Sequence, residues 1–226
     1  MLNLHRGQGQ DIYVSFISFS CVITTNSYHI YYTLFMVNHL FMFVILIFYQ
    51  WRDEGKCPTE DQYCKMVIDK TGGLFRLAVG LMRAMSTDGI AQDLTPLVNH
   101  LGLYFQVRDD LINLADQEFF KLKSFCEDIT EGKYSYPIIH CIRKSELQND
   151  RQLANILKQK TEDIEVKKYA QKLLFKAGSL KYTYDKCVQL HKQIIIQIDE
   201  LGGNEPLIQI VNHLHQQISK VGKTLE

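Results

Sequence analysis

The chain has 226 residues, 46% hydrophobic and 22% charged, a composition that suits one globular domain with a real core, with or without an appendage. Its 25 basic and 25 acidic side chains cancel, which excludes a strong overall field for nucleic acid or anionic lipid, so an anion site has to come from local placement of Lys and Arg. The six cysteines contain no Cys-x-x-Cys pair and match no zinc spacing, which points to a reduced, cytoplasmic compartment and away from a disulfide scaffold.

The polar start, MLNLHRGQGQDIY, carries no signal-peptide pattern. From Val14 to Trp51 there is no Asp, Glu, Lys or Arg, and Ile30 to Tyr49 is long enough to cross a bilayer as a helix. Thr33, Asn38 and His39 interrupt that run, and its flanks carry no basic bias to orient it. A membrane anchor and a foreign insertion are both open at this point.

After Trp51 the chain reads as helices. Thr59 is an N-cap with Gln62 three residues on. Met66, Val67, Leu74, Leu77, Ala78, Leu81 and Met85 keep a helical period, with Gly72–Gly73 a weak point inside it. Leu94, Leu97, Val98, Leu101 and Phe105 begin another helix, with Pro96 in its first turn. Further helices are expected over Tyr136–Arg143, Asp150–Gln159, Val166–Lys176, Lys181–Leu201 and Pro206–Lys220, with breaks near Gly132, at Gly178 and at Gly202–Gly203–Asn204. No period-2 strand is visible after Trp51, so the expected class is all-α.

Three blocks carry candidate chemistry. In FQVRDDLIN, the spacing i, i+3, i+4, i+7 puts Gln106, Asp109, Asp110 and Asn113 on one side of a helix, with Leu103, Gly102 and Asn99 extending the strip. Adjacent carboxylates facing a cavity repel each other unless a cation sits between them, and Mg²⁺ with substrate phosphates answers that need; an exposed acidic patch needs no cation. KTGG places Lys70 and Thr71 before two glycines, which weaken a helix and fit either backbone approach to a ligand or a helix-packing notch. KSFCEDITEGKYSYP offers Lys123, Asp128 and Lys133 in a loop, either closing on a diphosphate or simply solvated.

In order, KTGGLF, FQVRDDLIN and EDITEGKYSYP resemble the trans-isoprenyl diphosphate synthases, closest to the geranylgeranyl diphosphate synthases. The resemblance runs from Trp51 to Glu226 and includes IDELGGNEPL near the end. It also takes in LHRGQGQDIY, where Gln8 and Asp11 fit the family's GQ-x-x-D segment. The family pattern stops at Tyr13 and resumes at Trp51, so the expected organisation is a GQ-x-x-D segment at 1–13, an apolar insertion at 14–50 resembling translated intron sequence, and the C-terminal part of the prenyltransferase domain at 51–226.

The resemblance implies the C-terminal part of the isoprenoid synthase helical bundle. It implies that an allylic diphosphate is condensed with isopentenyl diphosphate in an Mg²⁺-dependent ionisation, condensation and elimination. It assigns Asp109, Asp110 and Asn113 to metal, Lys70, Thr71, Gln106, Lys123 and Lys133 to the allylic diphosphate, with the three lysines catalytic, and Asp128 to orienting Lys133 or a metal-bound water. Asn113 departs from a full DDxxD. The family's first aspartate-rich motif lies upstream of the GQ segment and no second Asp-Asp pair occurs here, so little or no prenyl transfer is expected of this chain alone. The implied partners are isoprenyl diphosphates and further copies of the chain, without nucleic acid, and membrane only if 30–49 form an anchor. Two other classes compete: a non-catalytic partner of a full-length synthase, and a membrane-anchored binding protein. Among the histidines, His213 and His215 are too poorly aligned to pair on a metal, His100, His140 and His191 read as core or surface, and Lys167–Lys168 and Asp199–Glu200 read as solvated helix faces.

Overall fold

A computed structural model describes residues 51–85, 92–115 and 125–225. The stretches 1–13 and 14–50, the apolar run 30–49 and Lys123 lie outside the described residues. Those described all belong to one compact unit, Leu40–Glu226.

The described elements are helical, as the periodicity predicts. Helix α1 is Glu60–Val67, followed by a π-helical turn at Ile68–Gly72 and then α2, Gly73–Met85. Next come α3, Thr95–Ala115, a single-turn α4, Glu127–Glu131, and α5, Tyr136–Glu146. The chain closes with α6, Gln152–Gln159, α7, Ile164–Lys176, α8, Ser179–Glu200, and α9, Glu205–Thr224. None of these is long and apolar enough to cross a membrane.

Local chemistry sets the ends. The Thr59 hydroxyl accepts from the Gln62 amide at 3.1 Å and the Gln62 side chain accepts from the Thr59 amide at 2.8 Å, closing the expected capping box. Asp163 caps α7 and Asn204 caps α9 by accepting first-turn backbone amides, without the reciprocal bond of a capping box. The loop expected over 123–137 contains α4, set between left-handed Cys126 (φ 46) and Gly132 (φ 67), which confine it to one turn.

Helix α3 is the axis of the bundle. Residues are buried on most of its circumference, including Leu97, Leu103, Tyr104, Val107, Leu111 and Leu114, and a helix buried on most sides must be central. Helix α8 packs along it more extensively than any other element, presenting Leu180, Thr183, Cys187, Leu190, Ile194 and Ile198 at spacings of three and four.

The π turn crosses α3 at two glycines. A Cβ on Gly102 would stand 2.8 Å from the Gly72 nitrogen and 3.0 Å from its Cα, so the backbones themselves are in contact. Gly72 of KTGG thus serves a helix crossing, one of the two roles left open by the sequence, and it is this crossing that lays Lys70 and Thr71 against the helix bearing Gln106 and the aspartates.

One expectation fails in this part of the structure. Lys167 is not on a solvated face: it is only 5% exposed, and its Nζ donates to the Phe125 carbonyl at 2.8 Å. The long stem of lysine can bury while its ammonium finds a carbonyl, an outcome that the charged Lys167–Lys168 pair conceals. Lys168 does lie outside, paired with Glu165 at 2.8 Å.

Candidate functional site

The aspartates of α3 divide between two environments. Successive residues of a helix are turned about 100° apart, and here that separates Asp109, which is exposed, from Asp110, which is fully buried. Asp110 falls in step with Leu103, Val107 and Leu114, the buried stripe of α3. That register was the available signal for its burial.

Four donors surround Asp110. Its Oδ1 accepts from Lys133 Nζ at 2.8 Å and Gln106 Nε2 at 3.0 Å. Its Oδ2 accepts from the Tyr63 hydroxyl at 2.5 Å and the Tyr136 amide at 2.9 Å. A carboxylate offers about four lone-pair sites, so Asp110 is saturated. Tyr63 comes from α1 and is fully buried; burial, then the charge and hydrogen bond of Asp110, push its hydroxyl well above the ordinary tyrosine value. It therefore remains a donor. Sequence reasoning missed both Tyr63 and the Tyr136 amide, because nothing marks a tyrosine in a buried helical stripe as a partner of a carboxylate 47 positions away.

Lys133 also donates to Asp128 Oδ1 at 3.1 Å, so one ammonium bridges two buried carboxylates. Burial alone would lower its pKa, but the charges of Asp110 and Asp128 overcome that and carry it well above the ordinary value. Asp128 is raised from 3.8 to about 7, chiefly by burial, against the attraction of Lys133 and with the repulsion of Asp110. Among the described residues its Oδ2 is buried without a hydrogen-bond partner of good geometry, as are Ser135 Oγ and Thr130 Oγ1, although the Ser135 hydroxyl is close enough to offset part of the upward shift. A free buried carboxylate oxygen of this kind favours the protonated acid.

Asp128 thus makes stability depend on pH in a direction opposite to that of most paired carboxylates. Its folded value lies above its unfolded one, so between about pH 4 and pH 7 the folded chain holds a proton that the unfolded chain has released. Its contribution is fully present below that window and is lost as pH rises through it. Asp128→Asn should flatten this part of the profile, gaining stability relative to wild type between pH 5 and pH 8 in urea titrations. An unchanged difference at the two pH values would contradict the assignment.

Lys70 sits in the π turn, half-buried. Its pKa is lowered first by burial and then by the nearby Lys133 charge, while Asp110, Glu131 and Asp109 act in the other direction. The same five charges therefore gather around one place, and Glu131 is a member that the sequence did not single out. Among the described residues no carboxylate is within ion-pair distance of Lys70, whereas Lys133 has two. Thr71 adjoins Lys70 in the turn and is also half-buried.

The three residues matched to a metal do not form a cation cage in this arrangement. The oxygens of Asp110 are taken, and Asn113 Oδ1 accepts from the Asp128 amide at 3.1 Å. No group of three or more His, Cys, Asp or Glu suited to a metal occurs among the described residues. Asp109 is different: it is exposed, and it has no hydrogen-bonding or ionic partner among the described residues.

The histidines remain outside this cluster. His191 and His215 stack with centroids 4.2 Å apart, and Tyr104 stands 3.3 Å from His215 Nδ1. Burial, with His191 adding to it, lowers His215 to about 4. The pair joins α8 to α9 as part of the packing.

Comparison with known proteins accords with these motifs. The family profile of polyprenyl synthetase matches residues 1–174. A terpene synthase of Matsumurasca onukii is 43% identical over 214 residues, covering 95% of this chain and 57% of that protein. A geranylgeranyl pyrophosphate synthase of Mucor circinelloides f. lusitanicus is 43% identical over 209 residues, 92% of this chain and 55% of that protein. Another geranylgeranyl pyrophosphate synthase, from Dictyostelium discoideum, is 41% identical over 214 residues, 95% of this chain and 57% of that protein. The chain thus spans little more than half the length of these relatives. A profile match over most of its residues, together with identities above 40% along nearly all of it, shows that the chain belongs to the polyprenyl synthetase family.

Proposed function

We propose that this chain is the diphosphate-binding part of a trans-prenyltransferase of isoprenoid biosynthesis, one that extends an allylic diphosphate with isopentenyl diphosphate to geranylgeranyl diphosphate. The observation that carries this reading is Lys70, a half-buried ammonium beside a second ammonium, without a carboxylate of its own among the described residues. Such a group gains from an incoming anion, which would supply a counter-charge in place of the hydration that burial has removed.

In this reading Lys70 binds the diphosphate directly, with the Thr71 hydroxyl beside it. Lys133, fixed by Asp110 and Asp128, has one N–H left to offer. Both ammonium groups would stabilise negative charge as it builds on the departing diphosphate, and they are in place before the carbon–oxygen bond breaks. Gln106 helps by orienting Asp110. Lys123 is carried into the same role by resemblance, in a stretch outside the described residues. Mg²⁺, the implied cofactor, would supply further charge neutralisation, and Asp109 is the member of its matched trio with oxygens to lend. Self-association belongs to the reading as well. Leu74, Ala78 and Met82 lie along one exposed side of α2, with Leu74 50% and Met82 61% exposed, and an apolar strip of this kind suits a second copy.

Calorimetric titration tests this directly. The chain should bind farnesyl diphosphate and inorganic pyrophosphate but not farnesol, and Lys70→Met should weaken both anions by about tenfold, the effect of one charge-assisted contact worth about 1.4 kcal/mol. Equal affinity for farnesol and farnesyl diphosphate would overturn the proposal.

A further inference from the structure

The surroundings of the two neighbouring aspartates give them different work. Asp110 has no solvent exposure and no acceptor site left, whereas Asp109 has both solvent and acceptor sites. A cation at Asp110 would have to displace Lys133, the Gln106 amide, the Tyr63 hydroxyl or the Tyr136 amide. Two of those four are rigid: Tyr136 N belongs to the first residue of α5, and the Tyr63 ring is 1% exposed and packs on the Tyr136 ring at a centroid distance of 5.4 Å.

Resting on the reading of this cluster as a diphosphate site, we propose that Asp110 is a positioning residue for Lys133 and not a ligand for a cation, and that Tyr63, which lies outside all three motifs, is the positioning residue that holds Asp110 in that role. The geometry gives the reason. Tyr63 and the Tyr136 amide fix Oδ2, so the carboxylate cannot turn about its Cβ–Cγ bond, and Oδ1 is then left facing Lys133. Without the Tyr63 hydroxyl, Oδ2 has a single donor. The carboxylate is then free to rotate, and the ammonium loses its defined place between Asp110 and Asp128. Asp109, on the exposed side of the helix, is the aspartate left to meet a cation brought in with the diphosphate.

The test uses the full ¹⁵N-labelled chain and the conservative variant Tyr63→Phe. Lysine ammonium ¹H–¹⁵N correlation spectra, recorded without ligand, should show a sharp Lys133 signal, assigned by its loss in Lys133→Arg. In Tyr63→Phe that signal should broaden or move, while the exposed Lys168 signal stays where it is. Titration with inorganic pyrophosphate without metal should then show a loss of about three- to tenfold in Tyr63→Phe, equivalent to about 0.7–1.4 kcal/mol. With Mn²⁺ added to pyrophosphate, Asp109→Asn should weaken Mn²⁺ binding about tenfold, and Tyr63→Phe and Asp110→Asn should weaken it less than about threefold. A merely structural Tyr63 would lower the melting temperature without moving the Lys133 signal of the folded protein, and that result overturns the proposal. So does an Asp110→Asn variant that folds and loses Mn²⁺ as Asp109→Asn does. If wild type binds no pyrophosphate, the diphosphate reading fails, while the ligand-free Lys133 signal still decides whether Tyr63 and Asp110 hold the ammonium.

Discussion

Lys133→Met should destabilise the chain by about 3–5 kcal/mol at pH 7, the usual consequence of removing the cation from a buried ion cluster. Methionine has much the same length and fills the same space, so packing changes little. What changes is charge: Asp110 is fully buried and Asp128 is 4% exposed, and both would be left facing each other without their shared ammonium. Asp110 keeps three donors, but Asp128 keeps an oxygen with no hydrogen-bond partner and loses the one cation paired with it among the described residues. The cheapest response is for Asp128 to take a proton, so the deficit should shrink as pH falls. Urea titrations at pH 5 and pH 8 check both parts. Adding Asp128→Asn to Lys133→Met should recover part of the loss, because the two residues share one interaction and their effects cannot add. A deficit below about 1 kcal/mol, or one independent of pH, would mean that the cluster is solvated and the ion pairs are worth no more than surface ones.

Gly102→Ala should cost about 1–3 kcal/mol through overpacking. Its new methyl group would meet the Gly72 nitrogen at 2.8 Å and the Thr71 carbonyl carbon at 3.2 Å. Those atoms are backbone, so the only relief is to move the π turn away from α3. Gly80→Ala is the control. It lies in α2, and an added Cβ there meets nothing within 4 Å. By helix propensity that change should stabilise by up to about 1 kcal/mol. Two identical substitutions of helical glycines should therefore move the urea midpoint in opposite directions. The first should also weaken pyrophosphate binding, since Lys70 and Thr71 travel with the turn. Equal shifts would show that the crossing has slack.

How far the sequence foretold this structure depended on how local the cause was. The capping box at Thr59, the start of α3 around Pro96 and the end of α8 at Gly202–Gly203 rest on neighbours within a few residues, and they fall where expected. The helix boundaries elsewhere differ from expectation by a few residues, as with α5, which runs on from Arg143 to Glu146. The three motif blocks do converge: Lys70, Gln106, the aspartates and Lys133 act on one another. The inequality of Asp109 and Asp110 was not announced by the pattern i, i+3, i+4, i+7, because that strip is wide enough to straddle a buried and an open side. Only the match between Asp110 and the Leu103–Val107–Leu114 stripe distinguishes them. Tyr63 and Lys167 were hidden for a stronger reason. Their partners, Asp110 and the Phe125 carbonyl, are far away in sequence, and tertiary packing alone brings them close.

The widened turn between α1 and α2 carries its own consequence. A π turn leaves the ordinary helical ladder out of step, and here the Arg76 guanidinium reaches back to the Ile68 carbonyl at 3.3 Å while also gripping Asn99 on α3. The distortion is stitched down by a side chain anchored on a different helix. It is accordingly a joint property of two segments, with the Gly72–Gly73 pair making the turn easy to widen and the contact to α3 holding it so. The lysine carried on that turn therefore owes its place to the meeting of two helices rather than to its own segment.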